Sequence, residues 1–342
     1  MAWTDIRGQA FALRVLQADL TQQRVAPAYL FVGPEGVGKR LTAMEMAKTL
    51  NCTGVADGSC GQCDSCRRMI RGVHPDLCVV SAHGSSDAIR IDDVRAVLAR
   101  IALRPFMARY QLVIIDGAEC VTEEAGNLLL KSLEEPPRQA RFLLISPQPT
   151  ACLPTIVSRC KVVRFQRLPA ELIETLLLDQ RSCDSKTAES VSRLAQGSAS
   201  RAMELAAQWD AHAAMLAHLG SSSPTAWLEW SVPNDRRELS RWLACAVSWL
   251  RDVAVVSVTS VTDEFLLNHR EAEPTIRRQA QTIDRERCVD TAMQLIELWV
   301  SLEQMANPRL VGTLLREHWL SLLGSSGFRV SGSELQLETR NS

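Results

Sequence analysis

The sequence predicts an α/β domain with a parallel sheet, followed by regions that are entirely helical. Over the first ~165 residues, short apolar runs alternate with amphipathic segments, which is the pattern of βαβ units. After Pro169 the strand signal fades and helical periodicity takes over. Seven of the eight Trp residues lie after residue 200, so we expect the two halves of the chain to differ in fold and in role.

The strands of the first domain are predicted from five short apolar runs, each bounded by polar or turn residues. These runs are Leu30–Val32, Leu77–Val80, Leu112–Ile115, Phe142–Ile145 and Val162–Phe165. Amphipathic segments that predict helices lie between them, at Leu41–Leu50, Ile91–Ala102 and Thr122–Leu133. The alternation predicts a parallel sheet covered by helices.

The second half is predicted to be helical. Helices are expected at Ala170–Gln180, Ser185–Ala195 and Arg201–Leu219, and again from Thr225 to Leu323. Gly220–Pro224 is a linker candidate, and the Trp and Leu stripes are expected to form core. We therefore divide the chain into an α/β domain at residues 1–168, a small helical domain at 169–219, a larger helical domain at 220–330 and a polar tail at 331–342.

Composition and charge exclude several classes of function. The chain has 38 basic and 39 acidic residues and a net charge of −1, so it is not a polycation that coats nucleic acid. No apolar run is long enough to span a membrane, and the N-terminus has no secretory pattern. We expect a cytoplasmic protein without membrane association, in which clustered cysteines indicate a metal before disulfides.

A phosphate-binding loop is predicted where the first apolar run ends. Gly33, Gly36, Gly38 and Lys39 form the pattern G-x-x-x-x-G-K between a predicted strand and a predicted helix. Glycines allow the backbone N–H groups to surround a phosphate, and the lysine adds a positive charge. The competing interpretation is a Gly-rich turn that has no ligand.

Two parts needed for magnesium-dependent hydrolysis are missing. Arg40 stands where a Ser or Thr would ligate Mg²⁺, and Gly117 stands where a Glu would follow Asp116, the acidic residue at the strand end. Glu119 is expected to point elsewhere. We therefore expect a nucleotide-binding fold with poor or no hydrolysis and a lost Mg²⁺ site; the alternative is that Glu119 or Glu35 substitutes.

Four cysteines cluster within fifteen residues. Cys52, Cys60, Cys63 and Cys66 follow the spacing C-x7-C-x2-C-x2-C, which suits a tetrahedral zinc site. The competing interpretation is four free thiols on a loop. Because no additional ligand-spaced residue or open coordination position accompanies them, a structural zinc is favoured over a catalytic one.

A series of motifs in one order resembles a known family. The phosphate loop and the cysteines are followed by His74-Pro75-Asp76-Leu77, by Leu133-Glu134-Glu135-Pro136-Pro137 and by Ser158-Arg159-Cys160. This series is similar to bacterial clamp-loader subunits of the AAA+ class over residues ~3–205, and more loosely beyond them. The resemblance implies that the three domains are an AAA+ P-loop domain with a zinc-binding insertion at 52–66, a lid and a collar for oligomerisation.

The resemblance also implies a function. Two kinds of member carry the zinc knuckle, an ATP-hydrolysing motor with Lys-Thr and Asp-Glu motifs and a hydrolysis-deficient stator, and Arg40 and Gly117 match the stator. Such a subunit of the DNA polymerase III holoenzyme joins a tau/gamma-like ATPase and a delta-like subunit in a heteropentamer. That complex loads the sliding clamp onto primed DNA, while the stator itself carries no polymerase activity. The sequence leaves open whether this chain binds ATP.

Residue roles follow from the same resemblance. Arg159 corresponds to an arginine finger supplied in trans to the ATP site of a neighbouring subunit. Ser146 and Arg201 match nucleotide-sensing residues, which are either functional or vestigial here, as are Gly33, Gly36, Gly38, Lys39 and Asp116. Three alternatives remain open: a tau/gamma-like motor of the same complex, a nucleic-acid-binding protein that reads through its zinc knuckle, and a general AAA+ regulator.

Overall fold

A computed structural model describes residues 3–55, 58–82, 88–258 and 267–324. The polar tail predicted at 331–342 lies outside the described residues. The chain divides into two compact units, Met1–Ala206 and Ala207–Ser342, which are described separately. In the described parts, no helix combines the length and hydropathy needed to cross a bilayer.

A five-stranded parallel sheet forms the centre of the first unit, and its order is β2-β3-β4-β1-β5. The strands are β1 (Ala28–Val32), β2 (Leu77–Ser81), β3 (Gln111–Asp116), β4 (Ala140–Ser146) and β5 (Lys161–Arg164). Four of the five predicted apolar runs lie within a strand, and the fifth, Val162–Phe165, extends one residue beyond the end of β5. Because the strands are parallel, the chain leaves β1, β3 and β4 at the same edge of the sheet, and this edge carries the candidate site.

Helices cover both faces of the sheet. They are α1 (Ala10–Thr21), α2 (Lys39–Leu50), α3 (Asp64–Ile70), α4 (Ile91–Ile101), α5 (Glu123–Glu134) and α6 (Pro154–Val157). Alternate strand residues point to opposite faces. Leu30 and Leu144 pack in the layer that contains α4 and α5, whereas Phe31 and Leu143 pack in the layer that contains α1 and α2. This two-sided burial explains why the strands read as continuous apolar runs.

Three further helices complete the first unit, α7 (Ala170–Asp179), α8 (Ser185–Leu194) and α9 (Ala199–Ala207). The N–H of Ala199 at the start of α9 donates to the carbonyl oxygen of Gly36 at 2.9 Å. A Cβ built on Gly36 would lie 2.1 Å from the hydroxyls of both Ser198 and Ser200, and Gly36 has φ +71°. Position 36 therefore requires glycine both for its backbone conformation and for its close approach to α9.

The second unit is entirely helical in its described residues. Its helices are α10 (Trp209–Leu219), α11 (Pro224–Glu229), α12 (Arg236–Val258), α13 (Glu273–Thr282), α14 (Arg285–Glu303) and α15 (Pro308–Leu322). Trp227, Trp242, Trp249 and Trp319 are buried in its core. The expectation that the Trp stripe forms core is confirmed for these four residues.

The structure refines the predicted helical organisation. Residues 201–219, predicted as a single helix, form parts of α9 and α10, which are separated at Gln208. Met215 and Leu219 of α10 pack into the core of the second unit. Residues 220–223 of the predicted linker connect α10 to α11 within that unit, and Pro224 begins α11. The division into lid and collar at residue 219 stays a prediction.

Candidate functional site

A cavity of ≈ 610 Å³ opens at the carboxyl edge of the sheet. The phosphate loop forms one wall, from Glu35 to Leu41, and the ends of β3 and β4 contribute Asp116 and Ser146. Ser200 and Met203 of α9 form another part of the lining. Residues that the sequence places far apart thus meet around one space, because parallel strands bring their carboxyl ends together.

The phosphate loop has the conformation that its glycines were predicted to allow. Gly33 has φ +149°, Gly36 φ +71° and Gly38 φ +100°, values that residues with a side chain rarely adopt. Gly38 is followed directly by α2, so the N-terminus of this helix faces the loop. The prediction of a strand, a glycine loop and a helix is confirmed.

Lys39 is buried, with 7% of its surface exposed. Its Nζ donates to the carbonyl oxygens of Gly33 at 2.5 Å and Pro34 at 2.6 Å. Burial lowers the pKa of Lys39, and the carboxylates of Glu35, Glu119 and Asp116 act in the opposite direction. The lysine is therefore held against its own loop at the floor of the cavity.

Arg40 pairs with the acidic residue at the strand end. Its Nη1 lies 3.0 Å from Oδ2 of Asp116. A guanidinium only donates hydrogen bonds and cannot ligate a cation, and here it also occupies an oxygen of the one carboxylate that would hold Mg²⁺. The residues present do not fit a magnesium ion of the P-loop type.

Glu119 lines the same cavity as Lys39, so the expectation that it points elsewhere is wrong. Gly117 adopts φ +98° and turns the chain into a short 3₁₀ segment, Ala118–Cys120. Because of this turn, Glu119 lies in the wall of the cavity. The sequence carried only a weak signal for it, an acidic residue three positions after the strand-end Asp116.

The two sensor candidates differ in placement. Ser146 is buried and lines the cavity, where its Oγ donates to the carbonyl oxygen of Gln148 at 3.0 Å. Arg201 is exposed, and among the described residues the cavity wall contains its neighbours Ser200 and Met203 but not Arg201 itself. Its sensing role stays a prediction.

Arg159 lies outside this cavity wall, on the first unit's surface. Its Nε donates to Oε1 of Glu134 at 2.7 Å, and its Nη1 donates to the carbonyl oxygen of Thr155 at 2.9 Å and to the hydroxyl of Ser158 at 3.2 Å. The guanidinium is thus held at the surface by the end of α5 and by α6. Glu134 lies in the Leu-Glu-Glu-Pro-Pro motif, but no local signal in the sequence indicates its contact with Arg159.

The four clustered cysteines form a candidate metal site. Their Sγ atoms all lie within 4.8 Å of one another, and a tetrahedral zinc with bonds of about 2.3 Å needs sulfurs about 3.8 Å apart. Gly54 must remain glycine here, because an added Cβ would lie 2.8 Å from Sγ of Cys60. Ser59 donates to Oε1 of Glu45 at 2.6 Å and so fastens the cysteine loop to α2.

Backbone N–H groups point at the sulfurs. The N–H of Cys60 donates to Sγ of Cys52 at 3.4 Å, and the N–H of Cys66 donates to Sγ of Cys63, the N-cap of α3, also at 3.4 Å. Burial alone would raise the pKa of Cys63, but hydrogen bonds from Thr53 and Cys66 outweigh it and lower the pKa to about 6. Burial raises the pKa of Cys66 to about 12. The sulfur donor set, its spacing and its N–H donors fit a metal such as zinc.

Comparison with known proteins gives the same assignment for this region. A sequence profile described as "DNA polymerase III, delta subunit" matches residues 8–169. The delta′ subunit of DNA polymerase III from Pseudomonas aeruginosa is 41% identical over 136 residues, 40% of this chain and 42% of that protein. Residues 8–169 match the DNA polymerase III delta/delta′ and tau/gamma clamp-loader family.

Both branches of this clamp-loader family are represented among the relatives. The tau subunit from Escherichia coli is 34% identical over 212 residues, which are 60% of this chain and 32% of the tau subunit. The matches thus span about a third to a half of the length of these curated relatives. A gamma subunit-related protein of DNA polymerase III from Thermotoga maritima has a TM-score of 0.42 at 17% identity and covers 89% of this chain and 99% of that one.

The clamp-loader assignment agrees with the architecture. The chain has a five-stranded parallel AAA+-like α/β part, a four-cysteine cluster that could bind a metal such as zinc, and a helical C-terminal region. The expected fold class is confirmed.

Proposed function

We propose that this chain is the delta′-like, hydrolysis-deficient stator of the DNA polymerase III clamp loader. The observation that carries the proposal is the ion pair between Arg40 and Asp116. Arg40 stands in place of the hydroxyl that ligates magnesium in an active P-loop site, and its guanidinium engages an oxygen of the carboxylate that would hold the ion. Gly117 also removes the carboxylate that would follow Asp116. A subunit with these substitutions is part of the assembly but does not hydrolyse ATP itself.

ATP turnover by the purified chain tests this proposal. The stator is expected to show no turnover above background with Mg²⁺ present, and robust turnover would support the tau/gamma-like motor instead. The match to tau over 60% of the chain favours this second candidate. Glu35 and Glu119 both line the cavity, and turnover by the purified chain would show that one of them substitutes for the missing carboxylate.

The stator's contribution to hydrolysis would come from Arg159. Arg159 lies outside the described wall of its own cavity, and Glu134 and Thr155 hold its guanidinium in place. Both features suit a guanidinium that completes the ATP site of a neighbouring tau/gamma-like subunit. Arginine fingers stabilise charge on the transferred phosphoryl group and contribute about 10³–10⁵ in rate. In the complex, Arg159→Ala should assemble normally and lower ATP hydrolysis, whereas Arg164→Ala, an exposed arginine of β5, should not. Full activity of the Arg159→Ala complex would overturn the role.

The second unit is proposed to pack in the collar of a heteropentamer with tau/gamma-like and delta-like subunits. One face of α14 exposes apolar side chains at helical spacing, namely Val289, Met293, Ile296 and Val300. Since the large Trp side chains are already buried within the unit, this stripe is the apolar surface of α14 that remains for a partner. Met293→Asp should reduce co-assembly, and its neighbour Gln294→Asp should not.

The remaining parts of the proposal concern the complex as a whole. Within it, the chain would help place the sliding clamp on primed DNA in the cytoplasm. The zinc-knuckle nucleic-acid reader is less well supported, because Arg68 beside the cysteines is paired with Asp64 at 2.8 Å. Tight binding of DNA by the isolated chain, lost on removal of the metal, would favour that alternative.

A further inference from the structure

The cavity has the donors for a phosphate chain even though it lacks the ligands for magnesium. Lys39 and Arg40 lie side by side in its wall. In the described part of the chain, the backbone N–H groups of Gly36, Val37 and Gly38 donate no hydrogen bond to the protein. Val37 is 2% exposed, and a buried N–H without an acceptor is costly. Gly36, Val37 and Gly38 all line the cavity, so their N–H groups are available to an anionic ligand.

Arg40 brings a positive charge next to Asp116. Its side chain is 63% exposed, and its contact with Asp116 is made through Nη1. A guanidinium has five N–H donors in a fork that matches phosphate oxygens. The remaining donors are therefore available to a ligand next to Lys39.

The carboxylates around the cavity determine whether added Mg²⁺ strengthens or weakens the binding of a polyphosphate. Glu35, Asp116 and Glu119 all act on Lys39, and a polyphosphate would meet their repulsion. Arg40 neutralises Asp116 directly, as a bound cation would. An added Mg²⁺ would compete with Arg40 both for Oδ2 of Asp116 and for the phosphate oxygens.

We propose that Arg40 replaces magnesium as the counter-charge, so that the cavity binds nucleoside di- and triphosphates in their metal-free form. The inference concerns this chain's own cavity and does not depend on its role in the ring. A failure here would leave the Arg159 experiment unaffected.

The test is titration calorimetry of the full chain with ADP and with ATP, in EDTA and in excess MgCl₂. Binding is expected in EDTA, and MgCl₂ should leave the affinity unchanged or weaken it. Arg40→Ser, which restores a hydroxyl beside Asp116, should lose at least about tenfold in EDTA (about 1.4 kcal/mol) and regain affinity when Mg²⁺ is added. Arg95→Ser, an equally exposed arginine paired with Asp92, is the matched control and should bind like the wild type.

Three results would overturn the proposal: absence of ADP and ATP binding in EDTA, wild-type binding that requires Mg²⁺, or unchanged affinity of Arg40→Ser in EDTA. Circular dichroism establishes that each variant is folded. Should Arg40→Ser fail to fold, Arg40→Gln removes the same charge with a longer side chain and is judged by the same loss in EDTA.

Discussion

Glu134 and Arg159 lie 25 positions apart in the chain and form an ion pair at the surface of the first unit, with Nε of Arg159 2.7 Å from Oε1 of Glu134. The two residues belong to two of the motifs that carry the family resemblance, so these motifs are in direct contact in the structure. The side chains are 31% and 49% exposed, and exposed pairs of this kind stabilise a fold by about 0–1 kcal/mol. The pair therefore matters for where the guanidinium is held more than for stability.

The first prediction concerns this pair. Glu134→Gln should change the free energy of unfolding by no more than about 1 kcal/mol, because water solvates the guanidinium of Arg159 once the carboxylate is gone. ATP hydrolysis by the assembled complex should nevertheless fall in kcat with KM unchanged, since Arg159 loses its fixed orientation. Glu135→Gln, the exposed neighbour, is the control. A kcat equal to that of the wild type would show that Thr155 and Ser158 suffice to position Arg159.

The second prediction concerns the cysteine cluster. The reduced protein should contain about one equivalent of zinc, measured by inductively coupled plasma mass spectrometry. Cys66→Ser should lose the metal and lower the thermal midpoint of the first unit, because a four-sulfur site contributes directly to folding. Cys183→Ser, an isolated cysteine outside the cluster, should retain both. Protein purified without a chelator and free of zinc would contradict the assignment.

The third prediction concerns Asp76, a buried carboxylate. It accepts hydrogen bonds from the N–H groups of Phe106, Met107 and Ala108 at 2.7–2.9 Å. Asp76→Ala should lower the free energy of unfolding by about 3 kcal/mol, because several donors lose a charged acceptor at once.

Hydrogen exchange provides the local measurement for this variant. The amides of residues 106–108 should exchange faster in Asp76→Ala, while Asp92→Ala, whose carboxylate is 86% exposed, should leave them unchanged. Equal protection in both variants would mean that the loop is held by other contacts.

The fourth prediction concerns pH and the second unit. Burial lowers the pKa of His269 from 6.5 to about 4, so between these values the unfolded chain binds a proton that the folded chain does not. Stability should therefore fall as the pH drops from about 6.5 to about 4, by up to about 3 kcal/mol for this residue. Burial raises the pKa of Asp252, which acts in the opposite direction in the lower part of the window.

Trp fluorescence reports this transition, because seven of the eight Trp residues lie after residue 200. Urea unfolding at several pH values should give a shallower pH dependence for His269→Gln than for the wild type. His218 and His318 also have pKa values lowered by burial, so part of the acid sensitivity should remain. Identical pH dependence in the two proteins would contradict the contribution of His269.

Much of the first unit was predictable, because its local signals agree with its fold. Parallel strands buried on both faces, such as β1 and β4, leave continuous apolar runs that end in turn residues. The same runs located the phosphate loop after β1 and placed Asp116 at the end of β3. The carboxyl-edge position of the candidate site follows from these elements alone.

The contacts that define the site's chemistry were not predictable in the same way. Arg40 and Asp116 are 76 positions apart. Nothing local indicates that an arginine in place of the Mg²⁺-binding Ser or Thr would pair with the carboxylate expected to bind Mg²⁺. Glu119 was misplaced because its direction depends on Gly117 with φ +98°, a backbone choice that the residue type permits but does not dictate. The break at Gln208 has no Gly or Pro signal at that position, so periodicity joined α9 and α10 into one helix.

The contact between the phosphate loop and α9 has a mechanical consequence. The hydrogen bond from Ala199 to Gly36 and the close approach of Ser198 and Ser200 link the loop directly to the last helix of the first unit. A hinge between them would have to break this bond and separate surfaces that already touch. In the ring proposed above, the phosphate loop and α9 would then move as one rigid piece while neighbouring subunits change shape around them.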